Sequence, residues 1–174
     1  KTMFTVTPKT PFEIRQTEKF REASASAEYV VGTPDGKRPG IFYIPLPNPE
    51  KFNVTSGMES LFLHEAIPGH HYQVSLQQEN TELPKFMRFG WFGAYGEGWA
   101  HYCETLGPEF GLYTDPYQKM GYLSDQMLRA VRLVVDTGLH TGTMTRAHLD
   151  RRGEGVLIPD TGSPYCCVVP LLVR

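Results

Sequence analysis

The chain has 174 residues, enough for one domain with a sizeable core. Its 40% hydrophobic and 21% charged residues exclude a disordered or low-complexity chain, and 17 Lys plus Arg against 19 Asp plus Glu, a net charge of −2, gives no sign of a nucleic-acid-binding surface. No apolar run approaches the roughly 20 residues that span a bilayer, and three cysteines, Cys103 with the adjacent Cys166 and Cys167, make no disulfide framework, so a soluble globular protein is expected.

Residues 1–57 read as loops, turns and short extended pieces. Pro8, Pro11, Pro34, Pro39, Pro45, Pro47 and Pro49 break any long helix. Thr33-Pro34-Asp35-Gly36 signals a turn. Ile41-Phe42-Tyr43-Ile44 fits a short strand with Glu28-Tyr29-Val30-Val31 as its hairpin partner, so a small β hairpin is expected near residues 28–44.

Helical patterning starts at Ser56. Either Ser56 or Ser60 can cap a helix that runs through Ile67, where Pro68-Gly69 interrupts it. His70 to Gln78 reads as helix again, and Pro84 to Tyr95 is aromatic-rich. A further helix covers Glu97–Leu106. Thr114-Asp115-Pro116 starts a long one that reaches about Leu139 and stops near Gly142. Beyond Arg146 the character changes: Arg151 to Gly155 is polar, and Cys166 to Val173 is apolar without a clear period. Asn53-Val54-Thr55 is a glycosylation sequon by pattern only. The chain starts at Lys1, as a fragment or processed product does.

The sharpest segment is His64-Glu65-Ala66-Ile67-Pro68-Gly69-His70-His71. A helix carrying His-Glu-x-x-His puts two imidazoles one turn apart on one face, where they share a zinc ion. Here the second position is Pro68. On an unbroken helix His71 would share the face of His64 but lie about 10 Å along the axis, too far for two bonds of about 2.0–2.1 Å to one ion. A bulge or kink at Pro68-Gly69 takes up the extra residues. It favours His70, directly after the glycine, with His71 as the competitor. The structural alternative, polar decoration of a helix, fits three histidines and a glutamate within eight residues less well.

Glu97, His101 and Glu104 fall on one helical face at i, i+4 and i+7. Glu97 as a carboxylate ligand and Glu104 as a partner of a ligating histidine complete a His, His, Glu site with an open fourth position. His101 is an alternative ligand, and a solvated salt-bridge stripe is the structural reading of this face. On the long helix, Leu123, Met127, Ala130 and Val134 cluster on one stripe. Asp125, Arg129, Arg132, Asp136 and His140 form a polar ladder at about 220° from it. Apolar residues fill the positions between, so this helix is expected to be buried, with its ladder facing protein or a polar cavity. Asp136 can orient His140. Cys103 reads as a small core residue. There is no Gly-x-Ser-x-Gly elbow and no phosphate-cradling glycine loop.

The chain resembles the bacterial domain-of-unknown-function family 885 (DUF885), zincin-like metallopeptidases of the gluzincin type. The resemblance rests on Asp35-Gly36-Lys37-Arg38-Pro39-Gly40, His64 through Gln73, Tyr95-Gly96-Glu97-Gly98-Trp99-Ala100, Tyr113-Thr114-Asp115-Pro116-Tyr117 and Arg129 through His140. These five motifs stand in one order and cover about residues 11–146. The resemblance implies a mainly α, zincin-like catalytic domain with one zinc ion (Zn2+). It implies His64, His70 and Glu97 as ligands and Glu65 as general base. A nearby side chain would steady the oxyanion, with His140 the first candidate and Tyr102 or Tyr122 after it. A peptide is the implied substrate. Family members are much longer, so the chain reads as part of a larger domain. Residues 1–146 are then a partial catalytic domain and residues 147–174 a divergent tail. The competing reading is an inactive fragment or pseudoenzyme that keeps a structural zinc site and acts as a binding module.

Overall fold

Prolines deny the first third of the chain a helix, and what forms there is a small sheet. A computed structural model describes residues 3–47, 50 and 56–145. Strand β1 spans Phe12–Gln16, β2 Glu28–Val30 and β3 Gly40–Ile44. β3 lies in the middle, where Ile41 and Phe42 are buried. β2 pairs with it antiparallel, Tyr29 opposite Phe42, which is the expected hairpin pairing. The sequence pattern gives residues 12–16 only as an extended piece; they form β1, which adds to the other side of β3 in parallel, from Phe12 opposite Gly40 to Gln16 opposite Ile44. That pairing joins residues far apart in sequence, which local patterning does not report.

The helices are α1 (Met58–Glu65), α2 (His70–Glu79), α3 (Lys85–Phe89), α4 (Gly93–Thr105) and α5 (Pro116–His140), with a 3-10 turn at Pro108–Phe110. The chain is thus mainly α with a small three-stranded sheet, and no helix of the described residues is long and apolar enough to cross a membrane. Neither serine caps α1. Gly57 precedes the helix in a left-handed conformation, φ 86°, and the side-chain carbonyl of Gln118 accepts from the free Glu59 N–H at 3.1 Å. α1 also stops short of Ile67. Its helix ends at Glu65, residues 66–69 are irregular, and α2 restarts at His70. The interruption is therefore a clean break between two helices. Gly69 makes it possible: a Cβ at this position would lie 1.8 Å from the His64 carbonyl oxygen.

α4 packs against both α1 and α2, and α2 against α3. Leu63, Ala66, Val74, Ala100, Cys103 and Leu106 are buried there. The sheet meets these helices through Phe12, whose ring lies 4.9 Å from that of His71 and 6.4 Å from that of Phe62.

The chain divides within α5 into two compact units, one ending at Tyr122 and one starting at Leu123. In the second, α5 closes at His140 and Gly142 takes a positive φ of 73°, the stop expected there. Among the described residues the expected burial of this helix is not found. Leu133 is 70% and Val134 54% exposed, and Leu123 and Met127 are exposed as well. An apolar circumference records a preference for burial, but a covering surface has to exist before it is met. Residues 146–174, with the tail, Cys166 and Cys167, and the Asn53-Val54-Thr55 sequon, lie outside the described residues.

Candidate metal centre

His64 occupies the last turn of α1 and uses both ring nitrogens. Its Nδ1 lies 2.6 Å from Glu104 Oε1, and its Nε2 lies 3.3 Å from Glu97 Oε2. The two carboxylates stand two turns apart on one face of α4, so a single helix grips the imidazole from both ends. His70 opens α2 immediately after the break. Its Nε2 lies 3.7 Å from the same Glu97 oxygen. The two imidazole rings are 4.8 Å apart and almost perpendicular, at 88°.

One ligand atom from each of His64, His70 and Glu97 falls within 4.8 Å of the others. Bonds of about 2.0–2.1 Å arranged tetrahedrally separate neighbouring donors by about 3.3 Å, which the 3.3 and 3.7 Å spacings approach. The donor set, two imidazoles and a carboxylate, is one that zinc takes. Glu104 accepts from Nδ1–H of His64, so Nε2 is the nitrogen left to take an ion in exchange for its proton.

The electrostatics follow from this crowding. Burial pulls the His64 pKa down, but Glu104 and Glu97 outweigh it and lift it to about 9. His64 and then His70 hold the Glu97 carboxyl far below the ordinary range. Glu65, buried beside His64, goes the other way: burial raises its pKa, against the opposing pull of His64 and His70.

Two devices hold the cluster in place. The first is a clamp on the break: the indole Nε1–H of Trp99 donates to the Pro68 carbonyl oxygen at 2.7 Å, and the Cys103 thiol approaches the same oxygen at 3.4 Å. Cys103 is buried as expected, and burial pushes its thiol up to about 12, so it stays protonated and able to donate. The second is a wall. The Trp91 ring lies 5.6 Å from the His70 ring and rests on the backbone of α4, where a Cβ on Gly96 would come within 2.1 Å of it. Side chains of α2 tie the segment carrying Trp91. Gln73 Nε2 donates to the Tyr95 carbonyl at 3.2 Å, and Gln77 Nε2 to that of Gly90 at 3.3 Å.

The competitor histidines lie elsewhere. His71 Nδ1 is 2.9 Å from the Tyr29 hydroxyl and 3.4 Å from that of Ser75, and burial lowers its pKa. It ties α2 to the sheet. Among the described residues His101 does not join the ligand group. Tyr122 stacks on Tyr113 at 4.9 Å, and Tyr102 packs on Trp99 at 5.9 Å. His140 belongs to the second unit. Its Nδ1 donates to the Asp136 carbonyl at 2.9 Å and lies 3.3 Å from the Asp136 carboxylate, the orientation expected of that pair. Sequence spacing does not announce the clamp or the wall. Their one sequence signal is the run of aromatic residues flanking Glu97.

Residues 1–149 match the family described as "Bacterial protein of unknown function (DUF885)". The crystal structure of the "putative lipoprotein from Colwellia psychrerythraea" is similar, with 40% identity and a TM-score of 0.76; the match covers 82% of this chain. The chain spans 25% of the length of that one. No curated protein matches. The chain belongs to the DUF885 family.

Proposed function

From this family membership and from the ligand atoms that α1, α2 and α4 bring together, we propose that the chain carries the zinc-binding core of a metallopeptidase. The supporting observation is that one ligand atom from each of His64, His70 and Glu97 lies within 4.8 Å of the others, with Glu65 next to the first of them in sequence. These three residues would hold the ion. Zinc at such a site supplies Lewis acidity to a scissile carbonyl and acidifies water.

The chain's own groups do the rest. Glu65 is the general base: it takes a proton from the attacking water and returns it to the leaving amine nitrogen. Burial raises its proton affinity toward the working range of such a base. Glu104 fixes the His64 ring and its tautomer. Trp91 packs its ring against one flank of the His70 imidazole. A peptide as substrate is carried over from the gluzincin resemblance.

The test compares zinc content and peptide hydrolysis of the purified chain with those of Glu65→Gln. Both should carry about one zinc, and hydrolysis should fall about 10²–10⁴-fold in the variant. Zinc without turnover in the parent would favour the second reading, a structural zinc site in a binding module. A parent that binds no zinc would sink both.

A further inference from the structure

His64 and His70 are held unequally. The Nδ1 of His64 meets a carboxylate at 2.6 Å, whereas the Nδ1 of His70 is buried and has no partner among the described residues. If Nε2 of His70 is to offer a lone pair to an ion, Nδ1 must carry the proton, and a buried N–H left without an acceptor is destabilising. One turn later on the same helix stands the matching deficit. Gln73 is buried, and its Nε2 donates to the Tyr95 carbonyl, which fixes the amide orientation. Its Oε1, an acceptor, is buried and also without a partner. Residues at i and i+3 share a helical face. Thus α2 places an unpaired donor and an unpaired acceptor on one side of itself, beside the ligand cluster.

We propose that Gln73 is a positioning residue for His70, acting through one buried water that accepts from His70 Nδ1–H and donates to Gln73 Oε1. A buried water typically bridges groups of this kind that lack protein partners. Through it Gln73 does for His70 what Glu104 does for His64: it sets the tautomer and the ring plane. This inference rests on the zinc reading, and its test separates the two.

Zinc affinity of the full chain is measured by chelator competition, beside Gln73→Met and Gln73→Glu. The methionine variant keeps the volume and loses both polar atoms; it should bind zinc about 10–100-fold more weakly. The glutamate variant keeps the acceptor and loses only the donor to Tyr95; it should bind at least as well as the parent. Equal weakening in both variants would assign the effect to the Tyr95 tether and overturn the proposal, as would parent-like affinity in Gln73→Met. A high-resolution crystal structure of the zinc-free chain gives a readout independent of the ion. One ordered water within hydrogen-bonding distance of His70 Nδ1 and Gln73 Oε1 is expected, and its absence overturns the proposal. That water in place in a chain that never binds zinc would support the contact and remove the zinc reading alone.

Discussion

The indole N–H of Trp99 and the carbonyl oxygen of Pro68 are joined by a 2.7 Å hydrogen bond, 31 residues apart in sequence. Through it α4, the helix that supplies Glu97 and Glu104, also fixes the irregular turn that aims His70. Replacing Trp99 with Phe keeps an aromatic ring and deletes the donor. Stability should fall by about 1–3 kcal/mol, read as a lower urea midpoint, and zinc should bind more weakly. An unchanged midpoint would show the bond to be idle.

Gly69 should not accept even one added methyl group. Ala at this position puts its Cβ 1.8 Å from the His64 carbonyl oxygen and 2.3 Å from that of Leu63. Both are backbone atoms at the end of α1 and cannot step aside without unwinding it. Gly69→Ala should therefore cost more than the roughly 3 kcal/mol of an ordinary severe substitution. Thermal melting followed by circular dichroism checks this; a parent-like melting temperature would refute the close approach.

The two adjacent histidines should separate cleanly. His70→Ala removes a ligand and should abolish stoichiometric zinc binding. His71→Ala removes the link to Tyr29 at 2.9 Å and should keep zinc while losing about 1–3 kcal/mol of stability. Zinc content by atomic absorption and urea unfolding on both variants decide it. Zinc lost from His71→Ala with its fold intact would reverse the assignment.

Glu79 gives the stability a pH dependence. Its carboxylate accepts from the Lys9 N–H at 2.8 Å and from the Thr10 N–H and hydroxyl at 2.9 and 3.0 Å. Burial alone would raise its pKa, but these donors outweigh burial and hold it below the ordinary value. A depressed folded-state pKa means that the contribution is complete above the unfolded value of about 4.3 and disappears as pH falls through the folded one. Glu79→Gln should thus be less stable than the parent at about pH 7, with the gap closing toward about pH 3. Urea unfolding at both pH values measures it, and a gap constant with pH would count against this account.

What could be read ahead of the structure was local. The hairpin partners, the face shared by Glu97 and Glu104, and the return of a histidine after Pro68-Gly69 all follow from spacing within a turn or two. What could not be read depends on distant partners. β1 pairs with a strand whose first residue, Gly40, lies 28 positions after Phe12. The end of α1 at Glu65 is set by a break that Trp99 and Cys103 hold from another helix. The exposed Leu133 and Val134 make the same point from the other side: their period announces a buried face, and the period carries no information on what supplies the cover.

Among the described residues, strand β1 has a strand neighbour on one side only, with β3 between it and β2. Its outer backbone edge is a surface onto which a foreign strand could add, and Ile14 at its centre is exposed. The flanking residues change that balance. Glu13 and Arg15 form an exposed ion pair at 2.5 Å on the opposite face of the strand. An incoming chain would have to strip water from both charges to extend the sheet. The ion pair thus works against fibrillar growth from this edge, and Glu13→Val with Arg15→Val would make residues 12–15 an uninterrupted apolar run along it.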